Sequence, residues 1–307
     1  MTKEVIELGF VGGLGDILAR SFVHDPYFYI SRVNHPVEVL LFSPCPYVAE
    51  LFKYHPNRKN IRIHTFAMYP QFEKEHFSMG KNTNEERNQH KLDFLNKIFN
   101  GDFKIRPHGY LPAKTILDFH PSFVSRLKLK GMRRRGYAVI QPFASGEKRD
   151  LPAHILREII RALAEKGLCT YIVTRNHVRE HRSKVVFSPQ AFLEKKVLRG
   201  LAEIKQVKII KMSIPAVIEL VRHAAFFVGG DSAFVKAAWH YRCPSVLLLP
   251  EFVLRRPHHR IQMEEKKGIY FGAGIDTNLT STFESFDIKQ MREFFTKSVT
   301  LIPQSAE

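Results

Sequence analysis

The chain has 307 residues, 44% hydrophobic and 25% charged, which is long enough to bury a full core and close to the average globular composition; a miniprotein, a disordered chain and a collagen-like repeat are excluded. At about 150 residues per domain the length predicts two domains or one large one. The 47 Lys+Arg against 30 Asp+Glu leave a net charge of +17, a field that gathers polyanions such as phosphorylated ligands, anionic membrane or nucleic acid.

The first predicted strand is Val5 to Phe10, ending at Val11-Gly12-Gly13-Leu14-Gly15-Asp16, after which Ile17, Leu18 and Phe22 take up helical spacing. A second strand, Val37 to Phe42, leads through Ser43-Pro44-Cys45-Pro46 into an apolar-periodic segment, Val48 to Tyr54, and a third strand, Ile61 to Phe66. From Tyr69 to about Asn100 the chain is polar and reads as an inserted or mobile surface region, with a helical stretch only from Leu92 to Phe99. The basic run Arg126 to Gly136 ends this series, so a boundary is expected near residue 130.

The second half repeats the alternation. Strand Ala138 to Gln141, helix Ala153 to Lys166, strands Thr170 to Thr174 and Val207 to Ile210, and helix Pro215 to His223 come first. Strand Ala225 to Gly229, helix Ser232 to Tyr241, strand Ser245 to Leu249 and a closing helix Ile288 to Val299 follow. Strands alternating with helices predict an α/β fold with parallel sheets. No period of about 20–50 residues recurs, which argues against a solenoid.

No apolar window approaches the ~18 residues of a membrane span, and the opening Met1-Thr2-Lys3-Glu4 does not lead into a signal-peptide core; the expected location is the cytoplasm. Cys45, Cys169 and Cys243 are odd in number and widely spaced, which suggests reduced, packed thiols. Fifteen histidines include no HExxH or other tight grouping, and no metal site is predicted.

In an open parallel sheet, ligands bind beyond the carboxyl ends of the strands, where turns lead into helices. Three such turns are chemically unusual. In the first, Gly12, Gly13 and Gly15 permit close backbone approach and Asp16 delivers a carboxylate; a tight turn with a helix-capping aspartate is the plainer reading. It matches neither GxGxxG nor a P-loop, so hydride transfer and P-loop hydrolysis fall in rank. The second turn, Gln141 to Pro152, puts small residues, Ser145, Lys148 and Arg149 before a helix, a composition suited to phosphate. In the third, Val228-Gly229-Gly230-Asp231-Ser232-Ala233, Ser232 stands where an oxyanion could meet a helix start.

The segment MSIPAVIELVRHAAFFVGGDSAFVKAAWHYRCPSVLLL, Met212 to Leu249, resembles the donor-site segment of family-nine glycosyltransferases, the ADP-heptose heptosyltransferase family. The N-terminal glycine turn with GD, the Lys/Arg loop ending in Pro152 and the GxDSG-like turn resemble family motifs in the same order. The resemblance spans the first 25 residues and most of 137–250. It implies the GT-B architecture, two Rossmann-like parallel-sheet domains facing across a cleft: 1–132 on the acceptor side, 133–285 on the nucleotide-sugar side, and 286–307 a closing helix and tail.

The implied reaction is a metal-independent, inverting transfer from a nucleotide-diphosphate sugar, ADP- or UDP-linked, with no cofactor. Asp16 matches the catalytic base, Ser145 with Lys148 or Arg149 the donor-phosphate loop, Met212 the base-binding position, and Asp231 and Ser232 the sugar and phosphate turn. Two departures stand out: Ala233 replaces a usual glycine, and Lys236 replaces a usual histidine, where it could supply a charge. The phosphate loop is also one residue longer than the common pattern, which leaves Lys148 and Arg149 both eligible.

The implied acceptor is an anionic glycan or glycolipid of the lipopolysaccharide-core type, with peripheral contact at the inner membrane face through Lys128 to Arg135 and Arg255 to Arg260. Two alternatives stay open: glycosylation of hydroxymethylated bases in DNA, which +17 would also suit, and a noncatalytic basic binder of the same fold.

Overall fold

The computed structural model describes residues 6–11, 37–42, 47–66, 86, 89, 90, 93, 97, 119, 121–126, 136–143, 150–174, 179–181, 184–186, 199–201, 204–230, 232–254 and 278–300. The chain separates into two compact units, Met1–Arg126 with Glu180–Lys184, and Leu127–Arg179 with Val185–Glu307.

The first unit carries a parallel sheet in the order β1-β2-β3, formed by β1 (Ile6–Val11), β2 (Val37–Phe42) and β3 (Ile61–Phe66). Helix α1 (Tyr47–Lys53) connects β2 to β3 through a single 3-10 turn, Arg58–Asn60, and buries Leu51 and Phe52. The aromatic side chains continue this core: Tyr54 stacks on Phe123 of α2 (Pro121–Arg126) at 4.0 Å, and Phe119 meets Phe123 edge-on. In the polar stretch, two described residues inside the predicted helix Leu92 to Phe99 are helical, and so are three ahead of it. Glu86, Gln89, His90, Asp93 and Lys97 are helical, and Gln89 Nε2 donates to Asp93 Oδ1 one turn on at 2.8 Å.

The second unit is built on a six-stranded sheet ordered β11-β10-β9-β4-β5-β8, with every pairing parallel. Its strands are β4 (Tyr137–Gln141), β5 (Cys169–Val173), β8 (Val207–Ile210), β9 (Phe226–Gly229), β10 (Ser245–Leu249) and β11 (Asn278–Thr282); β6 (Arg179–His181) and β7 (Lys184–Val186) pair separately. Central strands covered on both faces read as continuous apolar runs, as in FFVG and SVLLL. β11, NLTST, is a polar edge strand, and that polarity hides it from a pattern search while blunting the sheet edge.

Alternation along the strands divides the core into two layers. Ala138, Ile140, Ile172, Phe226, Val228, Val246 and Leu248 face α3 (Ala153–Glu165) and the closing helix Ile288–Thr300, which contribute Ile155, Ile159, Leu163, Met291 and Phe295. Tyr137, Val139, Tyr171, Phe227, Leu247 and Leu249 face α4 (Ile214–Arg222) and α5 (Ala233–His240), which contribute Val217, Leu220, Val221, Val235, Ala238 and Trp239. Helix α3 stops in a Schellman turn: Gly167, at φ 73°, donates to Ala164 O, Leu168 donates to Leu163 O, and the chain enters β5.

Tyr137 Oη donates to Leu220 O at 2.8 Å inside this core. Burial, with Cys243, Tyr171 and Glu219 adding to it, pushes the phenol well above its ordinary value. A raised acid pKa favours the neutral form in the fold, so the contribution is complete below the unfolded value of about 10 and is lost as pH rises past it. Tyr137→Phe should cost about 0.5–1.5 kcal/mol at neutral pH. The gap to wild type should shrink between roughly pH 10 and 11 in urea unfolding; a pH-independent gap would contradict this account.

Candidate functional site

In chain order the second sheet runs outward from β4 through β5 to β8, then crosses back to lay β9, β10 and β11 on the other side of β4. The order therefore reverses between β4 and β9. Connections leaving these two strands depart to opposite faces, α3 to one and α5 to the other, and it is at such a reversal, outside the carboxyl ends of the strands, that open α/β sheets bind ligands.

The last residues of the two strands, Gln141 and Gly229, are register partners. A side chain at Gly229 would meet the Phe227 ring at 3.0 Å and Gln141 O at 3.1 Å, so glycine allows this close approach. Gln141 then reaches across: its Oε1 accepts from Ser232 Oγ, and its Nε2 donates to Phe143 O at 3.0 Å. Ser232 is the N-cap of α5, where its Oγ accepts from Val235 N at 3.4 Å. The turn after β4 is closed at its far end by Leu151 N donating to Pro142 O at 2.8 Å, immediately before α3. Pro152, the N-cap of α3, has no capping side-chain bond.

Two of the three turns singled out from sequence thus meet through one amide side chain. Ser232 is half-buried at the start of α5 with its hydroxyl proton directed to Gln141. Lys236 is half-buried in the first half of α5. Met212 lies at the same carboxyl edge, between β8 and α4 but two strands from β4, and packs against the layer containing Val217 and Trp239. Asp16, Gly12, Gly13, Gly15, Ser145, Lys148, Arg149 and Asp231 lie outside the described residues, as do the basic clusters around residues 130 and 258. Among the described residues no three His, Cys, Asp or Glu side chains converge, and no helix is long and apolar enough to cross a membrane.

Gln141 was quoted in the sequence only as the start of the second turn. Its signal, a long polar side chain closing an otherwise apolar strand, becomes meaningful once β9 is known to lie beside β4.

The sequence model for glycosyltransferase family 9 (heptosyltransferase) matches residues 88–248. That range begins ahead of the segment carrying the resemblance and does not include the N-terminal glycine turn. No curated protein matches by sequence. A solved glycosyltransferase of family 9 from Veillonella parvula aligns over 98% of both chains at 12% identity and a TM-score of 0.56. The E. coli heptosyltransferase WaaC with ADP-2-deoxy-2-fluoro heptose aligns over 96% of this chain and 99% of its own, at 10% identity and 0.54. E. coli ADP-heptose LPS heptosyltransferase II gives the same coverage and TM-score at 11% identity. These likenesses show a shared GT-B fold. With the family model spanning more than half of its length, the chain belongs to glycosyltransferase family 9 and is a glycosyltransferase of the heptosyltransferase type.

Proposed function

We propose that the protein transfers a sugar from a nucleotide-diphosphate sugar to a hydroxyl of an anionic acceptor, with inversion and without a metal or other cofactor. The observation that carries this reading is the meeting of the β4 and β9 turns at the strand-order reversal, through Gln141 and Ser232. Solved proteins of the same fold hold ADP and ADP-2-deoxy-2-fluoro heptose, which supports an ADP-linked donor over a UDP-linked one.

The chemistry follows from where charge develops. As the bond between the anomeric carbon and the diphosphate oxygen breaks, negative charge accumulates on the leaving diphosphate. Ser145, Lys148 or Arg149, Lys236 and the helix starts after β4 and β9 are the groups assigned to stabilise it, with Asp231 and Ser232 at the sugar and Met212 at the base. Asp16 takes the proton of the acceptor hydroxyl while that oxygen attacks the anomeric carbon from the opposite face. One displacement with one base accounts for inversion.

The net charge of +17 supports a polyanionic acceptor, and a phosphorylated glycan or glycolipid of the lipopolysaccharide core, reached from the cytoplasmic face, suits the family best. Native protein heated with ADP- and UDP-sugars should gain stability, by about 2.7 kcal/mol at a hundredfold excess over Kd. Asp231→Asn combined with Lys148→Ala should remove the gain. No gain with any nucleotide sugar would overturn the enzymatic reading. A salt-steep affinity for duplex DNA without affinity for glycolipid would move the acceptor to nucleic acid.

A further inference from the structure

Resting on the donor site proposed above, we infer that Gln141 is a positioning residue that sets the spacing between the two donor-binding turns. Its amide is oriented by two bonds of opposite sense: the carboxamide oxygen accepts from Ser232 Oγ, and the nitrogen donates to Phe143 O at 3.0 Å. One side chain therefore fixes the first residues after β4 and the N-cap of α5 to each other, across the point where the strand order reverses.

The second consequence concerns Ser232. A hydroxyl has one proton, and here it goes to Gln141, while the Ser232 oxygen accepts from Val235 N. The hydroxyl is thereby held as part of the frame of the turn, so the α5 start and the β4 turn keep one separation before any diphosphate arrives. Loss of that bridge lets the two turns move apart, and a ligand held by both must then restore their spacing on binding.

Three substitutions test this in the full chain, with ADP and UDP as probes in titration calorimetry and donor turnover measured in parallel. Gln141→Leu keeps similar bulk and loses both bonds; it should weaken ADP binding about tenfold, raise the donor KM in proportion and leave kcat within about twofold. Combining Gln141→Leu with Ser232→Ala should cost less than the sum of the two single variants, because the bridge is lost once while the bond to Phe143 O and the α5 cap are lost separately. Gln141→Glu supplies the most specific readout. Ionised, it can accept from Ser232 but repels Phe143 O and the diphosphate; protonated, it can donate to Phe143 O as the amide does. Its ADP dissociation constant relative to wild type should fall toward one as pH is lowered from 7.5 to 5, whereas the ratio for Gln141→Leu should stay flat, a pattern that general loss of packing would not produce. Wild-type affinity in Gln141→Leu, fully additive effects in the double variant, or a pH-independent Gln141→Glu ratio overturns the inference alone. Failure of the wild type to bind either nucleotide overturns the donor site with it.

Discussion

Asp16→Ala should lower kcat by about 10²–10⁴-fold, the usual contribution of a general base, while ADP binding measured by calorimetry stays within about twofold of wild type. The asymmetry follows from the roles assigned to the two units. In the proposed reaction the carboxylate would act on the acceptor's proton and the donor diphosphate would be held by turns of the second unit, whose β4 and β9 ends meet through Gln141 and Ser232. A group that works only as the acceptor oxygen attacks changes kcat and kcat/KM together and leaves donor affinity in place. Asp16→Asn is the sharper variant, since it keeps the shape and any helix-capping role of the aspartate while removing its basicity. If Asp16 merely caps the helix after the glycine turn, Asn should restore full turnover and Ala should cost stability; turnover in Asn equal to wild type would end the assignment.

The alternation of strands and helices was legible because each central strand of the second unit is a short apolar run bounded by turn residues. Val37–Phe42, Ile61–Phe66, Val207–Ile210 and Ser245–Leu249 fall on their predicted bounds, and the other predicted strands and the helices of the second unit lie within a residue of theirs. Asn278–Thr282 escaped because an edge strand has little apolar surface to bury; Asp93 and Lys97 fall in the helix predicted from Leu92 to Phe99, whereas the helical Glu86, Gln89 and His90 escaped because an exposed helix carries mainly polar side chains. The order of the strands is a different kind of information. Nothing in the local pattern of YAVIQ or FFVG says that they lie side by side, since that follows from long-range pairing of Gln141 with Gly229. Ser232 could be marked as the start of a helix from its own neighbours, but Gln141 could not be marked as its partner, 91 residues away. The chemistry of the site was thus readable turn by turn, and the frame holding the turns together was not.

Trp239→Ala should destabilise the protein by about 3–5 kcal/mol, the upper range for emptying an aromatic site in a core. Trp239 is 1% exposed, and it is the single tryptophan of the chain. Its ring fills the layer between α5 and the sheet beside Val217, Phe227 and Leu247, so truncation leaves a space that two rigid elements cannot close. Its Nε1 donates to Ser245 Oγ at 3.1 Å, at the first residue of β10. Trp239→Phe fills most of the volume and loses that bond, and should therefore cost only about 1–2 kcal/mol. The location gives the stability change a functional reading. Trp239 pins the last turn of α5, and Ser232 holds its first, so the helix is fixed at both ends, to β10 at one and to Gln141 at the other. Urea unfolding followed by far-ultraviolet circular dichroism checks the order Ala below Phe below wild type, because tryptophan emission disappears in both variants. Equal midpoints for Phe and Ala would assign the stabilisation to the hydrogen bond in place of the packed ring. In Trp239→Phe, which remains folded, ADP affinity should stay near wild type, since the α5 start is still held by Gln141; a loss as large as that of Gln141→Leu would mean that the packed end of the helix, and not the bridge, sets the separation of the turns.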